Sequence, residues 1–205
     1  MRLKKLATRR NLSIAVAAIA LVLIGWFVQR DGKKLVRAAI DEVGMRNVEG
    51  FAADIRFAAD ESNVDPLLIA GVMYSESSGI PSAVSSANAR GLMQLAMGSA
   101  QDAARKLGLP KPDAEDLLND PSLNIRLGAR HLAWLIKYEG EDLERVLACY
   151  NAGRTKVRRW IDEAGSWKAW RDERVGSGES QIFAYAHKVI DAMDEFERRG
   201  VILAE

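Results

Sequence analysis

One glutamate in this sequence, Glu76, has neighbours that suit acid–base chemistry. It lies in residues 74–79, which read Tyr-Ser-Glu-Ser-Ser-Gly, and residues 91–95, Gly-Leu-Met-Gln-Leu, follow a short way downstream. A carboxyl group can donate a proton to a leaving group and later accept one, provided that its pKa is raised toward the working pH. Whether Glu76 meets that condition depends on the helix that carries it.

The helix that carries Glu76 is predicted to begin at Asp65 and Pro66, because aspartate caps helix N-termini and proline fits the first helical position. Ile69, Val72 and Glu76 then recur at helical spacing, which places the carboxyl group on the apolar face. Burial there disfavours the charged form, and so does the negative end of the helix dipole in the last turn. Both effects raise the pKa of Glu76, although the periodicity alone also fits an ordinary surface glutamate.

The rest of the chain is predicted to be mostly α-helical from Phe51 onward, since no stretch alternates with the period of a strand. Residues 30–50 are polar with a weak apolar stripe, which predicts a stalk or a leading helix that packs on the domain. Residues 163–180 contain three glycines and are interpreted as a loop that borders a groove. Further helices are predicted at residues 51–60, 91–107, 120–138, 141–150 and 182–199, with a polar connection at 111–119.

Composition narrows the classes of function. The chain has 205 residues, 48% of them hydrophobic, which is enough for one globular domain and an extension. Its 29 Lys and Arg nearly balance 28 Asp and Glu, so charge gives no case for a nucleic-acid partner. The lone Cys149 is predicted to be a small buried hydrophobe, and the two histidines offer no metal-ligand spacing. Neither a metal nor a cofactor is predicted.

The N-terminus has the features of a membrane anchor. Residues 1–10 hold five Lys and Arg, and residues 12–28 are uncharged and almost entirely apolar. At about 1.5 Å per residue this run covers about 26 Å, close to the hydrocarbon core of a bilayer. We expect residues 11–29 to be a transmembrane signal-anchor and residues 1–10 a cytoplasmic basic tail. A cleaved signal peptide is the alternative, but the bulky Trp26 and its neighbours do not suit a peptidase site.

A series of motifs follows Glu76 and Ser77 in order. They are residues 83–85 (Ala-Val-Ser), residues 91–95, the Asp-Pro, Asn-Ile and Gly of residues 120–128, residues 148–153 (Ala-Cys-Tyr-Asn-Ala-Gly), and Tyr185 with Val189. In sequence and separation they resemble the motifs of lytic transglycosylases with the soluble-type (SLT) catalytic domain. The resemblance covers about residues 51–193.

The resemblance implies an all-α, lysozyme-like (SLT) helical domain at residues 51–200, preceded by the one N-terminal transmembrane helix. Its expected reaction is non-hydrolytic cleavage of the β-1,4 bond between N-acetylmuramic acid and N-acetylglucosamine in peptidoglycan, which leaves a 1,6-anhydro sugar. Glu76 would first protonate the leaving oxygen and then, as a carboxylate, take the proton of the C6 hydroxyl that attacks C1 of the same sugar. A two-carboxylate glycosidase needs a second Asp or Glu, and none is evident near the motifs.

The resemblance also implies a set of substrate-binding side chains around Glu76. Ser85 would hydrogen-bond near the carboxylate or the N-acetyl group, and Met93 and Gln94 would line the groove. Tyr150 would orient Glu76 or stack on sugar, and Asn151 would hydrogen-bond to the glycan. Turn formation, core packing and helix capping are the structural alternatives for the same residues. These residues are Ser85, Met93, Gln94, Tyr150, Asn151 and Tyr185.

The sequence departs from the family pattern most seriously before Tyr185. The family commonly has a glutamate four residues before this tyrosine, whereas here the residue is Gln181, and Glu179 lies two positions further upstream. Whether a second acidic group reaches the groove is therefore open. Asn88 for glycine, Met97 for proline and Cys149 for alanine alter loops or packing rather than chemistry.

The expected location is the bacterial cytoplasmic membrane, with a single pass and a periplasmic catalytic domain. The expected partners are peptidoglycan glycan strands, the membrane through the N-terminal helix, and an envelope-spanning assembly. Two other functions fit parts of the sequence: a hydrolytic goose-type lysozyme, which shares the fold and the lone glutamate, and a non-catalytic cell-wall-binding scaffold.

Overall fold

The computed structural model of the chain describes residues 25, 26, 28, 30–177 and 181–204. It divides into a first unit that ends at Val43 and a second unit, Gly44–Glu205, which holds the residues predicted to form the site. The described part of the second unit is mostly helical, and its longest non-helical segment lies between Ser77 and Met97. Its helices are α1 (Ala52–Ser62), α2 (Pro66–Ser77), α3 (Met97–Leu107), α4 (Asp116–Asn119), α5 (Pro121–Glu139), α6 (Leu143–Ala152), α7 (Arg154–Ala164), α8 (Trp167–Ser177) and α9 (Gln181–Arg199).

The core forms where α2 and α5 meet the helices around them. Helix α9 packs against α2 and α6, and α5 packs against α1, α3 and α6. Ile69 on α2, Leu132 on α5 and Phe196 on α9 are fully buried. Each such side chain contributes about 1.5–3 kcal/mol by leaving water, so this packing fixes the positions of the helices that carry the site.

The ends of the helix that carries Glu76 match the prediction. Asp65 accepts a hydrogen bond from the Leu67 N–H at 2.8 Å, and Pro66 occupies the first helical position. The helix stops where Ser78 adopts a left-handed conformation, with φ of 52°. The predicted start of α5 is also confirmed, because its N-cap aspartate accepts from the Leu123 N–H at 2.9 Å.

The prediction of a loop at residues 163–180 is wrong. Residues Trp167–Ser177 form α8, and residues Arg154–Ala164 form α7 just before it. Trp170 stacks on Trp160 and Trp167 with ring centroids 5.4 and 5.3 Å apart. Trp167 also packs against a second buried cluster that includes Leu135, Val146 and Val157, and these contacts outweigh the glycines of the segment.

The predicted helix at residues 91–107 begins later, at Met97. Gly91 and Gln94 have positive φ angles of 76° and 45°, which a right-handed helix does not allow. Residues 83–95 instead form a turn-rich segment in which Arg90 makes isolated β-bridges to Val84 and Leu95. The connection predicted at 111–119 likewise contains a single helical turn, Asp116–Asn119.

The predicted membrane span at residues 11–29 lies outside the described residues except for positions 25, 26 and 28. None of the helices in the described ranges combines the length and the apolar character that a bilayer crossing requires. Residues 30–49 are helical, and the last part of this helix contributes Met45 and Val48 to the core of the second unit.

A fully buried asparagine attaches the turn-rich segment to α5. Asn124 accepts a hydrogen bond from the Met93 N–H at 2.8 Å. Its amide donates to the carbonyl oxygens of Arg90 at 3.1 Å and Leu117 at 3.0 Å. Gly91 is required beside it, because a Cβ there would lie 2.1 Å from the Asn124 amide nitrogen. The segment therefore depends on α5 for hydrogen bonds that a helix would make internally.

Replacement of this asparagine tests how much the attachment contributes to stability. Asn124→Ala is expected to lower the free energy of unfolding by about 3 kcal/mol, because it leaves buried backbone groups without partners. Urea unfolding followed by circular dichroism measures the change. Asn119→Ala is the matched control, since the Asn119 side chain is exposed, and it should change stability by less than about 0.5 kcal/mol. A loss below about 1 kcal/mol for Asn124→Ala would contradict this account.

Candidate active site

Glu76 lies in the last turn of α2, on the side that faces α9. Its carboxyl group is half-buried, and its Oε1 accepts a hydrogen bond from the Tyr185 hydroxyl at 2.8 Å. Ile69 and Val72, on the same helical face, are fully buried. The structure thus places the carboxyl group at the edge of the core, as the periodicity predicts.

The pKa of Glu76 is raised from its ordinary value of 4.5 to about 7, and burial is the main cause. The hydrogen bond from Tyr185 and the positive charge of Lys188 act in the opposite direction, since both favour the carboxylate. Lys188 also donates to the Ser75 carbonyl oxygen at 3.1 Å. The side chain can therefore exist in both protonation states near neutral pH.

Ser77 ties the end of α2 to the turn-rich segment. Its buried hydroxyl lies 2.8 Å from the Leu92 carbonyl oxygen and 3.1 Å from that of Met73, and it accepts from the Gly79 N–H at 3.2 Å. Because Ser77 is adjacent to Glu76, this contact fixes the distance between the carboxyl group and residues 91–95. The sequence interpretation gave Ser77 no role; its place between an apolar helix and a glycine was the available signal.

Gln94 and Ser85 hold the turn-rich segment in shape. The Gln94 amide donates to the carbonyl oxygens of Ala83 and Gly91, both at 2.9 Å. The Ser85 hydroxyl accepts from the Ala89 N–H at 3.1 Å, and Ser85 itself is exposed. Gln94 is only half-buried. In this structure both side chains organise the backbone, and each keeps some surface that faces solvent.

Met93 lies in the core rather than on a groove surface. Its side chain is fully buried and packs over Gly128, where a Cβ would come within 2.6 Å of the Met93 Cγ. The expectation that the Met93 side chain lines the groove is therefore not met here. Its backbone carbonyl instead accepts from the Tyr150 hydroxyl at 2.8 Å.

Tyr150 and Tyr185 both lie close to Glu76. Burial raises the pKa of each phenol well above 10, and the charge of Glu76 raises it further. Both hydroxyl groups therefore stay protonated, and each acts as a hydrogen-bond donor. The two tyrosines differ in target, because Tyr185 donates to the carboxyl group and Tyr150 donates to the Met93 backbone.

Asn151 and Gln181 line a separate cavity of about 450 Å³, together with Trp160 and Trp170. Asn151 is exposed at the C-terminal end of α6, directly after Tyr150. Glu179, one of the two positions considered for a second acidic group, lies outside the described residues. Within the ranges that the structure describes, the side chains that shift the pKa of Glu76 are Tyr185 and Lys188, and neither is acidic.

The described residues also include no group of three or more His, Cys, Asp or Glu side chains that could hold a metal ion. The carboxyl group of Glu76, with a pKa of about 7, can transfer a proton at this site. It is supported by a tyrosine donor and placed beside a segment whose backbone is fixed by Ser77 and Asn124.

Known proteins resemble this chain in sequence. The profile of the transglycosylase SLT domain family matches residues 54–172. A Haemophilus influenzae protein provisionally named soluble lytic murein transglycosylase is 34% identical over 152 residues, which are 74% of this chain and 25% of that protein. Membrane-bound lytic murein transglycosylase C of Salmonella arizonae is 36% identical over 164 residues, or 71% of this chain and 46% of that protein. The chain thus spans between a quarter and about half of the length of these relatives.

The fold also matches a solved structure. An inactive mutant of lytic transglycosylase Slt from Pseudomonas aeruginosa superposes with a TM-score of 0.62 at 25% identity, covering 72% of this chain and 24% of that one. The family profile covers more than half of the chain and includes Glu76, residues 91–95 and Tyr150. The all-helical architecture and the order of motifs agree with it, and the chain belongs to the transglycosylase SLT domain family.

Proposed function

We propose that the chain is a peptidoglycan lytic transglycosylase that cleaves the β-1,4 bond between N-acetylmuramic acid and N-acetylglucosamine without water. The observation that carries the proposal is the half-buried Glu76, whose pKa of about 7 lets it act as acid and then as base. Family membership supports it, and so do the names of the relatives, which are murein transglycosylases.

In the first step Glu76 acts as general acid. Its carboxyl group donates a proton to the glycosidic oxygen as the bond from that oxygen to C1 of the muramic acid breaks. With a pKa of about 7, roughly half of the molecules hold this proton at neutral pH. The positive charge that develops at C1 can be stabilised by the substrate's own N-acetyl group.

In the second step Glu76 acts as general base. The new carboxylate takes the proton of the C6 hydroxyl of the same sugar, and the C6 oxygen forms a bond to C1. The Tyr185 hydroxyl and the charge of Lys188 stabilise the carboxylate during this interval, since both lower the pKa of Glu76. Because the nucleophile belongs to the substrate, no activated water and no second carboxylate are needed.

The other predicted residues have supporting roles in this proposal. Tyr150 positions the backbone of residues 91–95 through the Met93 carbonyl, and Met93 acts through that backbone rather than through its side chain. The exposed parts of Ser85, Gln94 and Asn151 would contact the glycan. The Glu76–Tyr185 hydrogen bond argues against a scaffold that has lost its catalytic residues.

We also propose the domain plan of a single-pass membrane protein. In it, residues 1–10 are a cytoplasmic tail, 11–29 a transmembrane signal-anchor, 30–50 a stalk or entry helix, and 51–200 the periplasmic catalytic domain. The apolar run and its basic flank support the plan, as do relatives named membrane-bound transglycosylases. Such an anchor would restrict cleavage to peptidoglycan near the membrane and allow contact with an envelope-spanning assembly. N-terminal sequencing that finds a mature chain starting after residue 25 would exclude the anchor.

Replacement of the catalytic carboxyl group tests the proposed function. Glu76→Gln keeps an acceptor for the Tyr185 hydroxyl but cannot transfer a proton, so release of soluble muropeptides from purified sacculi should fall by about 10³-fold. The exposed Glu163→Gln is the matched control and should keep wild-type activity. Full activity of a folded Glu76→Gln protein would refute the assignment.

Removal of the tyrosine hydroxyl tests the electrostatics of the site. In the wild type, kcat/KM should fall as pH rises through about 7, because the protonated acid is required. Tyr185→Phe removes a hydrogen bond that lowers the pKa of Glu76, so this limb should move to higher pH. Tyr150→Phe is the comparison, since its hydroxyl bonds the Met93 backbone instead, and the limb should move less. A shift to lower pH in Tyr185→Phe would contradict the account.

A further inference from the structure

A cavity of about 310 Å³ lies between α3 and α5, outside the residues assigned to catalysis. A second cavity, of about 210 Å³, adjoins it and shares Lys106, Arg130 and Trp134 with it. We call the two together the cationic cavity. Helix α3 contributes Lys106 and helix α5 contributes Arg130, His131 and Trp134.

Positive charge exceeds negative charge in the cationic cavity. Arg105 is matched by Asp102, whose carboxylate lies 2.9 Å from its guanidinium group. Lys106 and Arg130, by contrast, form no ion pair with any acidic side chain in the described ranges. The Nε of Arg130 is buried and has no hydrogen-bond partner among those residues. A buried guanidinium donor without an acceptor is costly unless a ligand supplies one.

The cations in the cavity repel one another. Partial desolvation lowers the pKa of Lys106 and the charge of Arg130 lowers it further, whereas the carboxylate of Asp102 raises it. Burial likewise lowers the pKa of His131 to about 4, with a further contribution from Lys106, so the imidazole is neutral at pH 7. The charge of Arg130 also lowers the pKa of Glu61. The carboxylate of Glu61, however, already accepts hydrogen bonds from Nε and Nη2 of Arg126. An anion bound in the cavity would relieve this repulsion.

A row of aromatic rings connects the cationic cavity to Tyr150. The His131 ring is stacked on Trp134 with centroids 5.8 Å apart, and it lies 5.5 Å from the ring of Tyr150. The Lys106 ammonium lies 4.9 Å from the centre of the Trp134 ring. A ligand in the cavity would therefore contact both a charge and an aromatic face, and the His131 ring that lines the cavity is in contact with Tyr150.

We propose that the cationic cavity binds a carboxylate of the peptide attached to the glycan strand. This inference rests on the proposed function. In a strand that carries peptides, the lactyl carboxyl group of N-acetylmuramic acid is taken up in the amide bond to the peptide, so the nearest negative charges are the carboxylate groups of the peptide itself. An arginine donor without a hydrogen-bond partner and an ammonium group without an ion-pair partner are suited to such a group, and the row of rings to Tyr150 would bring it near the strand being cut. The cavity would make the enzyme prefer strands that carry peptides.

The test compares two substrates prepared from the same sacculi. One is the peptide-bearing glycan, and the other is the same glycan after an amidase has removed its peptides, which leaves a free lactyl carboxylate on each muramic acid but none at the distance of the peptide. For the full-length chain with both Lys106→Gln and Arg130→Gln, kcat/KM on peptide-bearing strands should fall about tenfold and on peptide-free strands less than twofold. Lys106→Gln alone should show the same selectivity with a loss of about threefold, and its exposed position makes misfolding no concern.

Two further measurements separate the possible failures. Lys168→Gln removes an exposed charge on α8 and should change neither rate. Equal losses on both substrates would overturn the proposal. If the wild type cleaves neither substrate, the proposed function fails, and calorimetric titration with the free peptide still tests the cavity. Saturable peptide binding that the double variant loses supports it. No binding, or equal binding of inorganic phosphate, overturns it.

Discussion

Residues 91–95 of the turn-rich segment carry buried backbone groups that are not hydrogen-bonded within a helix, and the site depends on the side chains that bond them. Asn124 bonds the Met93 N–H, Tyr150 bonds the Met93 carbonyl, and Ser77 bonds the Leu92 carbonyl. These three donors and acceptors come from α5, α6 and α2. The segment therefore connects three helices, and one of them carries Glu76 in its last turn.

This arrangement explains how one carboxyl group can serve two steps. Burial at the edge of the core favours the neutral acid, and the Tyr185 hydroxyl with the charge of Lys188 favours the carboxylate. Burial prevails, but the two opposing effects limit the rise, so the pKa stays near neutrality. A deeper position would hold the proton too tightly for the second step, and a fully exposed one would lose it before the first.

The sequence predicted those features that depend on local order. The cap at Asp65, the proline start of α2, the raised pKa of Glu76 and the burial of Cys149 follow from spacing and residue type, and the structure confirms them. The contact between Glu76 and Tyr185 joins residues 109 positions apart, so the motifs could indicate that both matter but not that they touch.

The errors have physical causes as well. Residues 163–180 contain glycines that predict a loop, but the stacking of Trp170 on Trp160 and Trp167 stabilises α8. Met93 has the residue type of a groove wall, yet Gly128 leaves space for it in the core. The charges of the cationic cavity lie on α3 and α5, so only the packing of these helices brings them together.

The central claim is that the C6 hydroxyl of the substrate, and not water, attacks C1. Mass spectrometry of the sugar ends that the wild-type chain releases from purified sacculi tests it most directly. The account predicts muramic acid ends lighter by one water per cut than hydrolysed ends, in the 1,6-anhydro form. Ends that contain the added water, as a goose-type lysozyme would produce, would contradict it.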